Sequence, residues 1–201
     1  MRSAEKKVAL ETTAAIGVDE AGRGPWAGPV VVAAVRLAPG QNIPGLDDSK
    51  ALSEIRRDVL FQTIQQGADA WSIQFITAGE IDASDILRAT FEGMRRAVEA
   101  IARPGDTALI DGPLVPPKLV CPARGVIGGD ATVAAIAAAS ILAKVARDAY
   151  MVELDTRWPG YGFARHKGYG TAAHRAALQR LGACPEHRFS FKPIRALTPL
   201  A

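Results

Sequence analysis

Residues 16–37 read IGVDEAGRGPWAGPVVVAAVRL, two apolar runs on either side of a glycine-rich segment. The first run, Ile16–Val18, stops at the acidic pair Asp19 and Glu20, and the second, Val30–Leu37, is rich in valine and flanked by proline. Short valine-rich runs bounded by glycine and proline are typical of β-strands. Because only a turn separates the two runs, they predict neighbouring antiparallel strands.

Strand and helix signals alternate through the rest of the chain. We predict strands at 70–76, 107–110 and 124–127, and helices at 54–66, from Ser84 or Asp85 to about 101, at 132–156 and at 171–181. Ser53 is a suitable N-cap for the first helix, whose helical stripe is formed by Ile55, Val59, Leu60, Thr63 and Ile64. Residues 157–170 are predicted to form a loop because they are rich in glycine and proline. This order predicts one α/β domain with a mixed sheet.

The composition fits a globular protein. The chain has 201 residues, of which 48% are hydrophobic and 22% charged, so a buried core is available and disorder is not expected. The net charge of +3 is uneven, because residues 151–201 carry eight of the 24 basic side chains and only three of the 21 acidic ones. This distribution suits a carboxylate site beside a polyanion, and scattered surface charge explains it equally well.

Neither the cysteines nor the hydropathy indicates secretion or a membrane. Cys121 and Cys184 lack metal-ligand spacing and are interpreted as incidental thiols of a cytosolic protein. Residues 1–13 lack the apolar core of a signal peptide and are expected to form a flexible leader. The longest apolar stretch, 131–143, is too short to span a bilayer. We therefore expect a cytoplasmic protein without membrane contact.

Acidic residues follow three of the apolar runs: Asp19 and Glu20 in IGVDE, Asp111 in ALIDG and Asp130 in VIGGD. A single Asp beside Gly is most often a turn residue, but the repetition favours carboxylates that project from strand ends into one cleft. Converging carboxylates need a cation between them, and oxygen ligands without Cys or His favour Mg²⁺ or Mn²⁺ over zinc. Two such ions can activate water and stabilise the leaving oxygen of a phosphodiester.

Geometry constrains the segment from Asp19 to Gly24. Adjacent residues on a strand face opposite ways, so Asp19 and Glu20 share a site only if the strand bends or ends there. The glycines do not match a dinucleotide fingerprint, because Gly28 falls one residue late and a strand follows, and the Lys-Ser/Thr pair of a P-loop is missing. Gly22 and Gly24 do allow backbone groups to approach a sugar-phosphate chain closely.

Polar residues form a seam on the longest predicted helix. Ser140, Lys144 and Arg147 recur at helical spacing, whereas alanines and Leu142 occupy the other face. Solvent is the usual destination of such a seam, and a polyanion cleft is the alternative. The following loop, Arg165–Tyr169, sets basic side chains beside an aromatic ring, which suits phosphate contact and stacking on a base or sugar.

The motifs of this chain together resemble those of the bacterial ribonuclease HII family. They are GVDEAGRGPWAGPVVVAAV, DDSKALSEIRR, LIDG, GGDATVAAIAAASILAKVARD, YGFARHKGYGT and HRFSF, which follow in that family's order between residue 16 and about residue 194. The resemblance implies a ribonuclease H-like fold, in which helices flank a central mixed β-sheet. We expect the catalytic domain at 14–195, a small helical C-terminal part at about 171–195, and a tail at 196–201.

The resemblance also implies roles for individual residues. The catalytic acids and ligands of two divalent ions, Mg²⁺ or Mn²⁺, would be Asp19, Glu20, Asp111 and Asp130. The turn that recognises the ribose 2′-hydroxyl would be formed by Gly22, Arg23 and Gly24. Tyr169 matches the tyrosine that stacks on the deoxyribose at an RNA–DNA junction. Phosphate-side contacts would come from Lys50, Ser140 and Lys144.

The implied reaction is hydrolysis of the RNA strand of RNA/DNA hybrids and nicking on the 5′ side of ribonucleotides embedded in duplex DNA, with 3′-hydroxyl and 5′-phosphate ends. Such an enzyme would remove misincorporated ribonucleotides and RNA primers, and we expect a monomer. Two alternatives stay open. A nucleic-acid-binding module without catalysis is disfavoured by the presence of all four acids, and a hydrolase of mononucleotides is disfavoured by the Tyr169 loop.

Two expectations concern the neighbourhood of Tyr169. Gly170 stands where many family members have proline, and a glycine there is expected to loosen the loop. Of the three histidines, His166 is the one expected to touch substrate, whereas His174 and His187 are expected to be solvated or to cap helices.

Overall fold

A computed structural model describes residues 14–46 and 52–197, in which a five-stranded sheet carries helices on both faces. The strands are β1 (Ala15–Ala21), β2 (Val30–Leu37), β3 (Ala70–Ile76), β4 (Thr107–Asp111) and β5 (Ala123–Val126). Their order across the sheet is β3-β2-β1-β4-β5. β1 is antiparallel to β2 and parallel to β4, so the predicted antiparallel pair and the mixed sheet are both confirmed.

The helices are α1 (Glu54–Gly67), α2 (Ala78–Asp82), α3 (Ile86–Glu99), α4 (Ala134–Arg157), α5 (Phe163–His166), α6 (Ala172–Leu181) and α7 (Lys192–Leu197). The four predicted helices are present, although α4 begins at Ala134 rather than Thr132, because Gly129–Ala131 first form a 3₁₀ turn. α2 and α5 are missing from the prediction, and α5 lies inside the predicted loop, because helices this short show no periodicity. α7 extends past the expected domain boundary at residue 195. Within the described ranges no helix is long and apolar enough to cross a membrane.

Alternate residues of β2 face the two layers of helices. Val30, Val32 and Ala34 pack toward α3, while Ala33 and Val35 pack toward α1 and α4. This two-residue period is that of a strand buried on both sides.

Gly17 of β1 allows α4 to approach the sheet closely. A Cβ at this position would lie 2.0 Å from the carbonyl carbon of Ala135, so any larger residue would push the helix away. The close approach brings Ser140 of α4 to the carboxylate of Asp19, near the end of β1.

The predicted stripe of α1 is wrong in part. Leu60 and Ile64 are buried, but Ile55 is 79% and Val59 is 61% exposed. At 3.6 residues per turn, Ile55 and Val59 share a face that is rotated by about 100° from that of Leu60 and Ile64. The sequence stripe therefore combines two faces of the helix, only one of which meets the core.

The C-terminal part packs against the end of α4 and the segment that follows β1. The backbone N–H of Trp26 donates to the carbonyl of Gly168 at 2.8 Å, and that of Gly28 donates to Glu186 at 2.8 Å. The backbone N–H of Arg188 donates in turn to Trp26 at 2.8 Å. These bonds fix the loop that carries Tyr169 beside the end of the central strand.

Candidate active site

The four predicted acids meet at one edge of the sheet. Val18 of β1 pairs with Ile110 of the parallel strand β4, so the next residues along, Asp19 and Asp111, are neighbours. Asp130 follows β5 in the 3₁₀ turn, and its backbone N–H donates to Oδ1 of Asp111 at 3.3 Å. Glu20 and Asp111 line the same cleft. The structure thus places together the carboxylates that the sequence predicts from three separate segments.

Asp19 and Glu20 reach this edge although β1 does not end between them. The strand continues to Ala21, so the two side chains face opposite sides of the sheet. Asp19 accepts a hydrogen bond from Ser140 on the α4 side, and Glu20 borders clefts on both sides of the strand. That Asp19 and Glu20 share one ion site stays a prediction. The pair flanks the edge that the shorter strand β4 leaves open.

The electrostatics of the acids are those of a site that lacks compensating charge. Burial, followed by the charges of Glu20 and Asp111, raises the pKa of Asp19 to about 8, against the opposing hydrogen bonds from Ser140 and the Glu20 N–H. Burial also raises the pKa of Glu20, and Arg23, whose guanidinium lies 3.3 Å from the Glu20 carboxylate, opposes it. A cation between these groups would reverse both shifts.

The donor set fits a hard divalent cation in type and position. All four side chains offer carboxylate oxygens, which Mg²⁺ and Mn²⁺ prefer. The oxygens do not form a ready-made cage, because in the part of the chain that the structure describes no three His, Cys, Asp or Glu side chains are arranged to hold a metal. Side chains of Asp19, Glu20, Asp111 and Asp130 would therefore have to converge when an ion binds.

A cleft of about 350 Å³ opens beside the acids. Its lining includes four of the predicted substrate-binding residues, Gly22, Ser140, Lys144 and Tyr169. Lys144 is paired within α4 to Asp148, with 2.9 Å between Nζ and Oδ1. The predicted contact Lys50 lies outside the described residues.

Arg57 of α1 also lines this cleft, and the sequence interpretation missed it. Its Nη1 donates to the carbonyl of Leu52 at 2.6 Å, which directs the guanidinium across the start of the helix. The arginine pair that ends the motif DDSKALSEIRR was the available signal, because a basic pair so close to Lys50 is compatible with phosphate contact.

The glycine turn and Tyr169 are neighbours. Gly22 has φ +95°, and a Cβ there would lie 1.9 Å from Nε of Arg147, so only glycine fits. A Cβ at Gly24 would lie 3.8 Å from Cε1 of Tyr169, which places the phenol ring against the turn. The ring is 48% exposed and is available for stacking.

Residues 16–194 match the family model described as Ribonuclease HII. The chain belongs to the ribonuclease HII family. A ribonuclease HII of Laribacter hongkongensis is 57% identical over 180 residues, which cover 89% of this chain and 91% of that one. The ribonuclease H2 of Pyrococcus horikoshii OT3 superimposes with a TM-score of 0.78 at 25% identity, over 92% of this chain and 97% of that one. A ribonuclease HIII, Bst-RNase HIII, solved in complex with Mn²⁺, has a TM-score of 0.76 at 20% identity, over 94% of this chain and 70% of that one.

Membership confirms the predicted fold and class of enzyme. A ribonuclease HII is a metal-dependent endonuclease that hydrolyses phosphodiester bonds, and the family cleaves the RNA strand of RNA/DNA hybrids. The roles of individual residues in this chain are not decided by family membership, and they depend on the geometry described above.

Two buried arginines support the glycine turn in this ribonuclease HII, and neither was predicted to do so. Arg147 belongs to the seam that was expected to face solvent or a polyanion, yet it is buried and donates to the carbonyls of Pro29 and Lys167, each at 3.0 Å. Arg188 lies in the HRFSF motif and donates to the carbonyls of Gly22 and Arg23 at 2.6 and 2.9 Å. Burial lowers the pKa of both guanidinium groups, that of Arg188 to about 9.

The histidine predictions are wrong for His174 and His187, which are fully buried rather than solvated or capping. His166 is tied to its own loop, because its Nε2 lies 2.9 Å from the carbonyl oxygen of Tyr161 and its Nδ1 accepts from the N–H of Gly168 at 3.2 Å. The apolar surroundings of the C-terminal cluster explain the burial, which sequence periodicity could not show.

The space beside Gly170 is filled by the side chain of Trp26. A Cβ at this position would lie 2.2 Å from two carbon atoms of the Trp26 indole. The backbone on either side is also bonded, since the N–H of Tyr169 donates to His166 at 2.9 Å and that of Thr171 donates to Tyr169 at 2.8 Å. That the glycine loosens this loop stays a prediction, and the structure shows that packing and hydrogen bonds oppose it.

Proposed function

We propose that this ribonuclease HII, besides cleaving RNA in hybrids, nicks duplex DNA on the 5′ side of a single embedded ribonucleotide and leaves 3′-hydroxyl and 5′-phosphate ends. The observation that carries the proposal is the contact between the Gly22–Gly24 turn and Tyr169 at the border of the carboxylate edge. Close backbone approach at the turn suits recognition of a 2′-hydroxyl, and the exposed ring suits stacking on the next sugar. Together they read a junction, which a mononucleotide does not offer.

The carboxylates are proposed to hold two divalent ions, Mg²⁺ or Mn²⁺, through Asp19, Glu20, Asp111 and Asp130. Support by analogy comes from the fold relative Bst-RNase HIII, which was solved with Mn²⁺. Bound ions of this kind supply an activated water and neutralise charge on the leaving oxygen. Without bound ions the pKa of Asp19 is about 8, so its carboxyl group is largely protonated at neutral pH. Ion binding should therefore release a proton, and the affinity for the ions should increase as the pH rises.

The remaining side chains orient the nucleic acid. Ser140, Lys144 and Arg57 line the cleft and are proposed to contact phosphates on one side of the scissile bond. Arg188 donates to the carbonyls of Gly22 and Arg23, and Arg147 packs against Gly22, so both support the turn from inside the protein. No protein nucleophile is required, and a monomer would provide every one of these groups.

The test is cleavage of a DNA duplex with one ribonucleotide, in Mg²⁺ or Mn²⁺, by the wild type and by Asp111→Asn. Asp58→Asn, at an exposed aspartate of α1, is the matched control. We expect a nick on the 5′ side of the ribonucleotide that is lost in Asp111→Asn, kept in the control and absent from an all-DNA duplex. Cleavage of long hybrids without this nick would overturn the proposal, and binding of the duplex without any cleavage would favour a silent binding module.

A further inference from the structure

A pair of buried histidines lies directly behind Tyr169. His174 belongs to α6 and His187 to the segment between α6 and α7, and both side chains are shielded from solvent. Their Nε2 atoms are 3.0 Å apart, and Nδ1 of His174 is 3.0 Å from the carbonyl oxygen of Tyr169. The proposed catalytic chemistry uses neither ring.

The hydrogen bonds around the pair run in one direction when both rings are neutral. Because Nδ1 of His174 lies against the carbonyl oxygen of Tyr169, a neutral His174 donates from Nδ1 and accepts at Nε2. His187 then donates from Nε2, and its Nδ1 accepts from the backbone N–H of Cys184 at 3.0 Å, although the carbonyl oxygen of Cys184 lies 3.1 Å from the same atom. A second proton on His174 would set N–H against N–H unless His187 also changed tautomer.

The surroundings keep the pair neutral. Burial lowers the pKa of both His174 and His187 to about 4. The ring of His166 stacks on His174 with 4.4 Å between centroids, and a charge there would disfavour a second one. Two further titratable groups lie close to His187. The Sγ of Cys184 is 3.2 Å from its Nδ1, and the ring centroid of Tyr161 is 5.2 Å from that of His187.

The same pair connects the two elements proposed to read a junction. The backbone of His187 forms an antiparallel β-bridge with that of Ala27. The next residue, Arg188, donates to the carbonyls of Gly22 and Arg23. His174 reaches Tyr169 on the other side. A short chain of hydrogen bonds therefore joins the glycine turn to the tyrosine loop through the interior.

We propose that His174 and His187 are positioning residues that hold Tyr169 at a fixed place relative to the Gly22–Gly24 turn and so determine selectivity for RNA–DNA junctions. The inference rests on the proposed function of Tyr169 as the residue that contacts the deoxyribose. A uniform hybrid has no deoxyribose next to the cut, so its cleavage should depend little on the pair.

The kinetic test compares His187→Leu with His187→Gln, whose amide can place a donor near the position of Nε2. Each is assayed on a duplex with one ribonucleotide and on a uniform hybrid. We expect His187→Leu to lose about tenfold in kcat/KM on the junction substrate, the scale of a small misplacement, with much less loss on the hybrid. His187→Gln should retain most of the selectivity. Equal losses on both substrates would overturn the proposal.

Tyr169→Ala separates this inference from the function on which it rests. If Tyr169→Ala does not impair junction cleavage, the proposed role of the tyrosine fails. If it does, but His187→Leu has no effect, only the positioning role fails. When the pair acts through Tyr169, His187→Leu adds no further loss in the Tyr169→Ala background, whereas independent action would give multiplied losses.

Nitrogen NMR of the wild-type protein tests the pair without any substitution. We expect His174 to be protonated at Nδ1 and His187 at Nε2, with a coupling across the bond between the two Nε2 atoms and no second protonation between pH 7 and pH 5. The opposite tautomers, or titration of either ring near its ordinary pKa of 6.5, would contradict the proposed linkage.

Discussion

The Nη2 of Arg188 donates to the carbonyl oxygen of Gly22 at 2.6 Å, across 166 positions of the chain. The same guanidinium also donates to the carbonyls of Arg23 and Gly28, so within residues 14–46 and 52–197 every hydrogen-bond acceptor of this buried cation is a backbone oxygen. Burial and the charge of Arg147 lower its pKa to about 9, which still leaves it charged at neutral pH. The glycine turn is thus oriented from the interior.

Replacing Arg188 should harm both stability and selectivity. Arg188→Leu leaves three carbonyls without their donor, and each buried unsatisfied group costs about 1–3 kcal/mol. We expect a clearly lower Tm and at least a tenfold loss of cleavage at a single ribonucleotide. Arg88→Leu, at an exposed arginine of α3, is the control and should change neither. An unchanged Tm for Arg188→Leu would show that the turn does not depend on these bonds.

Trp26 and Gly170 should behave as a matched pair. A Cβ at Gly170 would lie 2.2 Å from the Trp26 indole, so Gly170→Pro should displace the ring and lower the Tm. Trp26→Leu removes the obstacle, and the double variant should therefore be more stable than Gly170→Pro alone. Thermal unfolding of the three variants gives the coupling between the positions. Simple additivity of the two changes in Tm would contradict the steric explanation.

Asp19→Asn should stabilise the metal-free protein while abolishing cleavage. The folded state raises the pKa of Asp19 from 3.8 to about 8, so it binds a proton that the unfolded state releases. Stability from this group is present at low pH and is lost as the pH rises through 8. In a chelator, the Tm of Asp19→Asn should therefore exceed that of the wild type by a growing margin between pH 5 and pH 9. A constant difference across this range would contradict the raised pKa.

The strand ends and their acids could be predicted because the signal is local. An apolar run that stops at an acid beside glycine shows both where a strand ends and which side chain stands there, as at Asp111, whereas β1 continues past Asp19 to Ala21. That Asp130 joins them through its backbone N–H needed the parallel pairing of β1, β4 and β5, which local periodicity does not show, and the resemblance implied only that Asp130 belongs to the site.

What the sequence could not show is which element covers a given helix face. Arg147 has the spacing of a surface seam, but the loop around Lys167 and the segment from Ala27 to Pro29 bury it. His174 and His187 are 13 positions apart and meet through tertiary packing alone. The prediction for Ile55 and Val59 is wrong for the opposite reason. Apolar residues were assumed to face the core, but α1 meets the core through the face of Leu60 and Ile64.

The most direct test of the account replaces one non-bridging oxygen of the scissile phosphate with sulfur, in a DNA duplex that carries one ribonucleotide. Mg²⁺ binds sulfur poorly and Mn²⁺ binds it better, so direct contact between a carboxylate-held ion and this phosphate should make the rate depend on the metal. With at least one of the two sulfur isomers, we predict cleavage at least about tenfold slower in Mg²⁺ and largely restored in Mn²⁺. Equal rates for the sulfur and oxygen substrates in Mg²⁺, with both isomers, would contradict a metal site formed by Asp19, Glu20, Asp111 and Asp130.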